Sequence, residues 1–286
     1  LHLACMAIGL GEEDEVIVPA QTHTATAHAV EYVGAKPVFA DIEIPSGNIS
    51  PDNLIKKITK KTKAIIVVHL TGMPCKIDEI IKIAKKFNLK IIEDCAHALG
   101  SFYKDKHVGN FGIVGCFSFY PTKQITTGEG GMVISNNKSI IDKISKLKAF
   151  GIDNDVNKRK IQGMYNVKKL GFNYRMTDFQ ATLGYYQLKR YKSNLIKRKQ
   201  NALHYVKYLK TISKINFLKY HKSNSYFIFQ IFLNSRKERN KVLKEFKNKN
   251  IGCSVHYLTA VPFMDYYKKK YNIDKKEYRW HKIMLI

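Results

Sequence analysis

The residues of this chain that could do chemistry lie in two segments, and each segment follows an apolar run. Lys123 stands in the segment 116–131, between a break at Pro121 and a Gly-Glu-Gly-Gly turn. Asp94 follows the apolar run 89–92. A lysine amine can condense with an aldehyde, and a carboxylate at such a place can keep a pyridine nitrogen protonated. These are the two groups that an enzyme holding pyridoxal phosphate (PLP) requires.

Both segments belong to an alternation of strand-like and helix-like patterns in the first half of the chain. Short apolar runs predict strands that are buried on both faces, and the stretches between them have helical spacing. The predicted strands are 15–19, 37–40, 64–69, 90–92, 114–119 and 131–135, and the predicted helices are 22–32, 77–87 and one that starts at Pro51 behind the cap Ser50. This order predicts an α/β fold with a mainly parallel sheet, in which ligands bind beyond the carboxyl ends of the strands.

The second half of the chain has a different pattern. It predicts a long helix at 177–209, a strand at 225–233, a basic helix at 236–248 and a strand-like segment at 252–257. We therefore expect two domains. Residues 1–195 would form a large domain, and residues 196–286 a smaller α+β domain with its own sheet.

Composition restricts the class of protein. The chain has 286 residues, of which 45% are apolar, so it can build a substantial core. No apolar stretch reaches the roughly 18–20 residues that span a bilayer, and the first residues of the sequence do not have the basic, apolar and small-residue pattern of a secretion signal. The five cysteines are scattered without a Cys-x-x-Cys pair, which predicts no metal site and favours buried thiols in a reducing cytoplasm.

Both ends of the sequence have the pattern of interior segments. Leu1 opens the chain without a methionine and inside a helix-like pattern, and the chain closes on the apolar run 283–286. We therefore expect an internal fragment of a longer protein, truncated at both ends.

Positive charge is concentrated in the second half of the chain. Residues 151–286 hold 31 lysines and arginines against 8 acidic residues, whereas residues 1–150 hold 18 against 15. Such a half could bind nucleic acid, but its lysines are spread through helix-like segments and no common nucleic-acid-binding motif is present. A phosphorylated, anionic substrate fits a basic field equally well.

Four motifs, in this order, give the chain a resemblance to a known family. They are Gly-Glu-Glu-Asp-Glu-Val-Ile-Val-Pro at 11–19, Glu-Asp-Cys-Ala-His-Ala-Leu-Gly at 93–100, Phe-Ser-Phe-Tyr-Pro-Thr-Lys-Gln at 117–124 with the glycine turn 128–131, and Gly-Phe-Asn-Tyr-Arg-Met-Thr-Asp at 171–178. The chain resembles the DegT/DnrJ/EryC1/StrS family of sugar-nucleotide aminotransferases over roughly residues 1–200. The resemblance implies the fold type I architecture of aspartate aminotransferase, with a large domain and a smaller α+β domain.

The resemblance assigns roles to the two residues first noted and to a histidine. Lys123 would be the lysine that forms the Schiff base with PLP, and Asp94 would be the partner of the pyridinium nitrogen. His97 stands where many family members have a glutamine near the phenolic oxygen of the cofactor. Its charge would depend on pH.

Further cofactor contacts are implied for three residues. Ser118 matches a position that hydrogen-bonds the cofactor phosphate. Asn173 matches a residue that reaches the phosphate from the neighbouring subunit, which would make the active site composite and a homodimer obligatory. His23 aligns with the aromatic residue that covers one face of the ring, although it also suits the start of a helix.

Substrate and phosphate contacts complete the expected site. His256 and Tyr257 resemble a His-Tyr pair near the sugar-binding region. The first phosphate-binding turn of the family would lie just before Leu1, so we expect weakened cofactor retention if this chain is expressed as it stands.

The implied reaction moves an amino group, from glutamate, to a keto-sugar nucleotide for polysaccharide or glycan biosynthesis. Two alternatives use the same fold. One is sugar dehydration, whose enzymes carry histidine at the position of Lys123, and the other is a regulatory protein without catalysis. The intact Lys123 and Asp94 favour transamination over both.

Overall fold

A six-stranded sheet forms the centre of the computed structural model, which describes residues 1–44, 46–153, 161–213, 215–274, 278 and 284–285. Its strands are β1 (Glu15–Pro19), β2 (Lys36–Ala40), β3 (Thr62–Val68), β4 (Lys90–Asp94), β7 (Val114–Ser118) and β8 (Gly131–Ile134). The short strands β5 (Phe102–Tyr103) and β6 (Lys106–His107) form a separate hairpin between β4 and β7.

The strand order in the sheet is β2-β1-β3-β4-β7-β8. Neighbouring strands are parallel except for β8, which runs antiparallel to β7 at the edge. Every residue of β1 is buried, as expected for a strand covered on both faces. The predicted α/β fold with a mainly parallel sheet is therefore confirmed. Because β4 lies inside the sheet, Asp94 at its carboxyl end lies at the edge where such folds bind ligands.

Helices cover both faces of this sheet. They are α1 (His2–Ala7), α2 (Thr24–Glu31), α3 (Pro51–Lys56), α4 (Ile77–Lys86) and α5 (Lys138–Leu147). On α4, the buried residues Ile77, Ile80, Ile83 and Ala84 recur at helical spacing and pack on one face of the sheet. The helices α1, α2 and α5 pack on the opposite face. Ser50 caps α3 as the sequence predicts, with its hydroxyl accepting a hydrogen bond from the backbone amide of Asn53.

The second half of the chain begins with the long helix α6 (Asp178–Leu209), which a capping box of Thr177 and Gln180 starts. The strands β9 (Asn216–Phe217), β10 (Ile231–Leu233) and β11 (Met284–Leu285) form a small antiparallel sheet. The helices α7 (Arg236–Asn248) and α8 (Asp265–Tyr271) lie between β10 and β11 in the chain.

The predicted boundary at residue 195 stays a prediction, and the structure adds one fact about it. Ala260, Val261, Tyr267 and Tyr278 lie in the same apolar core as α1 and α2. Part of the C-terminal segment thus packs on the face of the large sheet.

Two strand predictions in the second half are wrong. In the predicted strand 225–233 only Ile231–Leu233 is a strand, and the segment 252–257 forms none. Polar side chains bind backbone groups that a sheet would have paired. Arg198 donates to the carbonyl oxygens of Tyr226 and Phe227, and Gln21 donates to that of His256.

Within the part of the chain that the structure describes, no helix is both long enough and apolar enough to cross a membrane.

Candidate active site

Asp94 is held at the end of β4 by two hydrogen bonds. Its side chain is buried, with 5% of its surface exposed. One carboxylate oxygen accepts from the Ala96 amide at 3.1 Å, and the other accepts from the Thr26 hydroxyl at 2.9 Å. Thr26 lies in the first turn of α2, and its hydroxyl pairs in turn with that of Thr22 at 2.9 Å. A carboxylate offers about four acceptor positions, so Asp94 keeps capacity for a further donor.

Lys123 lies in the turn that follows β7. The turn is closed by a hydrogen bond from its own amide to the carbonyl oxygen of Tyr120 at 2.9 Å. The side chain is half-buried, and among the described residues its amine makes no hydrogen bond or ion pair. Burial lowers the pKa of the Lys123 amine, and the nearby charge of Asp94 offsets part of that shift. A larger fraction of the amine is therefore neutral, as a nucleophile or base needs.

His97 is buried in the turn after Asp94. Its Nδ1 accepts a hydrogen bond from the Thr71 amide at 3.3 Å, so the neutral ring carries its hydrogen on Nε2. The ring stacks on Phe227 with centroids 4.5 Å apart and planes at 24°. Burial holds the pKa of His97 well below its ordinary value, and the positive charge of Lys123 adds to this effect. His97 therefore offers a hydrogen-bond donor without a charge at neutral pH.

His23 is the N-cap of α2, where its Nδ1 accepts from the Ala25 amide at 3.2 Å. The helix-start role that the sequence left open is thus observed. Burial lowers the pKa of His23, and the charge of Lys123 lowers it further. The ring also lies edge-on to Tyr257, with centroids 6.3 Å apart. His23 therefore borders the surroundings of Lys123, while stacking on a cofactor stays a prediction.

His256 and Tyr257 approach the same place from the second half of the chain. The Nε2 of His256 hydrogen-bonds to the Ser254 hydroxyl at 2.7 Å, whereas its Nδ1 is buried without a partner among the described residues. Burial lowers the pKa of His256, with Lys123 contributing again. Burial raises the pKa of the Tyr257 hydroxyl, and the charge of Asp94 raises it further.

The two predicted phosphate contacts differ in their placement. Ser118 ends β7, and its oxygen accepts from the Tyr120 amide at 3.3 Å, which leaves its own hydrogen free to donate. Asn173 is exposed and pairs through its backbone with Ala149. No contact between the side chain of Asn173 and Lys123 or Asp94 is observed in the described part of the chain.

Behind Asp94, the carboxylate of Glu93 is buried and fully hydrogen-bonded. It accepts at 2.6 Å from each of the amides of Gly109, Phe111 and Gly112, and at 3.0 Å from His69. Burial alone would raise the pKa of Glu93, but these bonds lower it overall. Cys95 lies near Glu93 and His69 in a group of metal-ligand types, yet the bonds to Glu93 already occupy its oxygens. Glu93 thus fixes the end of the strand that carries Asp94.

The residues present fit PLP. Lys123 supplies an amine that makes no hydrogen bond or ion pair among the described residues, and Asp94 supplies a buried carboxylate with spare acceptor capacity. Ser118 has a hydroxyl hydrogen to donate, and the buried Nδ1 of His256 lacks a partner of its own. Each group could satisfy a polar atom of such a cofactor or of its substrate.

Comparison with known proteins decides the family. The family described as "DegT/DnrJ/EryC1/StrS aminotransferase family" matches residues 1–281. The chain belongs to this family.

Two curated relatives and one solved structure illustrate the similarity. GDP-perosamine synthase of Escherichia coli O157:H7 is 37% identical over 271 residues, which are 95% of this chain and 72% of that protein. UDP-4-amino-4,6-dideoxy-N-acetyl-beta-L-altrosamine transaminase of Campylobacter jejuni is 38% identical over 280 residues, which are 94% of this chain and 71% of that protein. The solved structure of the putative sugar aminotransferase Spr1654 of Streptococcus pneumoniae matches with a TM-score of 0.88 at 30% identity, over 97% of this chain and 76% of that chain.

The structure of the Streptococcus pneumoniae protein is known in a PLP form and a PMP form. The expectations of the family, of the fold type I architecture, of aminotransferase activity and of PLP as cofactor are therefore confirmed. The roles of the single residues in this family member stay predictions.

Sequence reasoning missed three residues of the site. Thr26 binds Asp94, Thr71 binds His97, and Phe227 stacks on His97. The i, i+4 spacing of Thr22 and Thr26 in the predicted helix 22–32 could have indicated a hydroxyl pair, although the observed α2 begins only at Thr24. No local pattern could have indicated Phe227, because it stands in a segment whose apolar run predicts a strand.

Proposed function

We propose that this chain transfers an amino group, with glutamate as donor, to a keto-sugar nucleotide for polysaccharide or glycan biosynthesis. The observation that carries the proposal is the half-buried amine of Lys123, which makes no hydrogen bond or ion pair among the described residues and whose pKa is lowered by burial. Buried Asp94 lies close enough to influence that pKa. Amine and carboxylate are the two groups that the family's chemistry requires.

When bound, PLP supplies an aldehyde that takes up the amino group and a ring that accepts the electrons of the breaking bond. Lys123 would take a proton on Nζ from the carbon of the donor and return one in the second half of the reaction. A neutral amine is needed for the first transfer, and its lowered pKa provides more of it near neutral pH.

Asp94 would accept a hydrogen bond from the protonated ring nitrogen at an acceptor position of its carboxylate that Thr26 and Ala96 do not occupy. His97 would donate from Nε2 to the phenolic oxygen, because its Nδ1 is engaged by Thr71. Ser118 would donate to the phosphate. Each of these side chains is oriented by a hydrogen bond before any ligand arrives, which favours binding.

The sugar nucleotide is the finer part of the proposal. Relatives at similar identity are named for GDP-linked and UDP-linked sugars, which supports a sugar nucleotide and leaves the base open. The positive charge of residues 151–286 suits a diphosphate group. His256 and Tyr257 border the site from this half and would contact the sugar.

A homodimer with a composite site belongs to the same proposal. The chain exposes large apolar side chains around Asn173, with 80% of Leu170, 92% of Phe179 and 56% of Tyr186 accessible. Such side chains near the start of α6 form a surface that a second copy could cover. Asn173 would then reach the phosphate site of the partner, in agreement with its exposure here.

An absorbance spectrum tests the proposal. The full-length protein with added PLP should show a band near the edge of the visible range that is absent in Lys123→Ala. The exposed helix residue Lys85 provides a matched control, since Lys85→Ala should keep the band. Loss of the band on addition of glutamate, and its return with one member of a panel of keto-sugar nucleotides, would identify donor and acceptor. A Lys123→Ala protein with an unchanged band would refute the proposal.

A further inference from the structure

A segment of the second half, residues 223–227, lies directly against the turn that carries His97. The hydroxyl of Ser225 donates to the carbonyl oxygen of His97 at 3.1 Å, and the amide of Phe102 donates to that of Ser223 at 3.0 Å. Arg198 of α6 donates to the carbonyl oxygen of Phe227 at 3.3 Å. The segment is therefore held at the site by bonds at both of its ends.

Phe227 makes two contacts at once from this segment. Its ring stacks on the imidazole of His97 with centroids 4.5 Å apart, and the Nζ of Lys123 lies 5.0 Å from its centroid. Among the described residues, Phe227 is the aromatic residue whose ring the Lys123 amine contacts. A phenyl ring thus joins the amine to the neighbouring histidine.

We propose that Phe227 is a positioning residue, which keeps the protonated side chain of Lys123 and the ring of His97 in place while Lys123 is released from the cofactor. The proposal rests on the function proposed above for Lys123. It gives an apolar residue of the second half of the chain a role in the chemistry of Lys123, which lies in the first half.

The charges around the amine explain why a ring is useful there. The ionisable groups that surround it are Asp94 at the end of β4, His97 in the next turn, His23 at the start of α2, and His256 with Tyr257 in the second half. The histidines have lowered pKa values and are neutral at neutral pH, so among the described residues Asp94 is the group whose negative charge stabilises the ammonium. The face of a phenyl ring attracts an ammonium without an ionisable group of its own.

The same ring fixes the direction of the His97 donor. The Thr71 amide holds Nδ1, but one hydrogen bond leaves the imidazole free to tilt about it. Stacking at 24° between the planes restricts that tilt and keeps Nε2 at a fixed angle. Removal of the phenyl ring should therefore change both neighbours of Phe227 together.

The experiment compares Phe227→Leu and Phe227→Met, which remove the ring, with Phe227→Tyr, which keeps it. Phe229→Leu is the matched control, because the ring of Phe229 packs on Tyr205 and Phe217 instead. The first readout is the pKa of the Lys123 amine in the full-length protein without PLP, measured by competitive acylation and mass spectrometry across pH. The second is the pair of ¹⁵N shifts of His97.

We expect the pKa of Lys123 to fall by about half a unit in the leucine and methionine variants, which is the lower end of the cation–π range. The His97 shifts should change in the same variants, whereas Phe227→Tyr and Phe229→Leu should leave both readouts at wild-type values. With PLP bound, kcat should fall about threefold or more with KM little changed, because the groups that bind the sugar are untouched.

An unchanged or raised Lys123 pKa in every folded ring-removing variant would overturn the proposal, since better hydration of the amine would then outweigh the lost ring. The use of two such variants keeps the test decisive if one fails to fold by circular dichroism. Because the labelling is done without PLP, its result is independent of the spectrum of Lys123→Ala, and the two proposals can fail separately.

Discussion

At the scale of single residues, the site depends on hydrogen bonds that orient ionisable groups before a ligand binds. Thr26 donates to Asp94, Thr71 donates to His97, and backbone amides saturate Glu93. A buried carboxylate or imidazole without such a partner would be costly and would adopt several orientations. The neutral state of His97 and the fixed position of Asp94 both follow from these bonds.

Replacement of Thr26 by valine tests the support of Asp94. The variant keeps the shape of the side chain but removes the hydroxyl that donates at 2.9 Å. A lost hydrogen bond to a charged group should weaken PLP binding by about tenfold or more, as measured by spectral titration. Thr24→Val, in the same helix turn, is the control and should bind PLP normally. Equal affinities in both variants would show that Thr26 does not position Asp94.

The lowered pKa of His97 makes stability depend on pH. Below about pH 6.5 the unfolded chain takes up a proton on this ring that the folded protein excludes, so the free energy of unfolding should fall as the pH drops. The loss approaches about 1.4 kcal/mol per pH unit for one proton. Urea unfolding of wild type and His97→Gln between pH 7.5 and 5.5 measures it, and the slope should be smaller in the variant. Exposed His204→Gln should keep the slope of the wild type.

At the scale of elements, the turn that contains Gly72 allows the segment 223–227 to reach the site. Gly72 has φ +95, and a β-carbon there would lie 2.3 Å from the Ser225 oxygen and 3.1 Å from the His97 carbonyl oxygen. The Ser101 hydroxyl also donates to the Gly72 carbonyl at 2.6 Å. The close approach therefore needs a residue without a side chain.

Comparison of Gly72→Ala with Gly9→Ala should separate the cost of this close approach from the cost of backbone strain alone. We expect a loss of about 2–4 kcal/mol in the free energy of unfolding, from a strained φ together with displacement of Ser225. Gly9 is the matched control, because it has φ +81 and nothing within 4 Å of its would-be β-carbon. Gly9→Ala should lose only about 1 kcal/mol. Equal losses in chemical unfolding would mean that the contact with Ser225 contributes nothing.

At the scale of the whole molecule, the first turns of α6 and the segment before them expose apolar side chains that the core does not use. In the described part of the chain, Phe179 and Leu170 are the most exposed of the large apolar side chains. Exposed apolar side chains that lie near one another in the sequence favour an interface between subunits. The proposed composite site depends on that interface through Asn173.

A charged residue on this surface tests the proposed dimer. Phe179→Glu in the full-length protein should shift the sedimentation velocity toward a monomer and weaken PLP retention, because the phosphate site would lose Asn173 of the second copy. Tyr208→Glu, at the far end of α6 with 68% of the tyrosine exposed, should leave the mass unchanged. A Phe179→Glu protein that stays dimeric would exclude this surface as the interface.

Local patterns predicted most of the first half of the chain. The bounds of β1 agree with the prediction, and those of β2, β4, β7 and α4 differ by a few residues at most. Apolar runs that are buried on both faces, a cap such as Ser50 and helical spacing are properties of short stretches, so the sequence displays them directly. The strand predicted at 225–233 is wrong over 225–230 for the opposite reason: distant groups, among them Arg198 and His97, bind the backbone and the serine of that part.

The sequence by itself determined the family, the α/β fold and the two central groups of the site, Lys123 and Asp94, because each depends on residues that are neighbours in the chain. Only the tertiary structure decided which side chains orient them. Thr26 meets Asp94 across 68 positions, and Ser225 meets His97 across 128. Contacts over such distances are created when strands and helices pack, and no period or motif records them. Phe227 therefore became visible as a neighbour of Lys123 only in the folded chain.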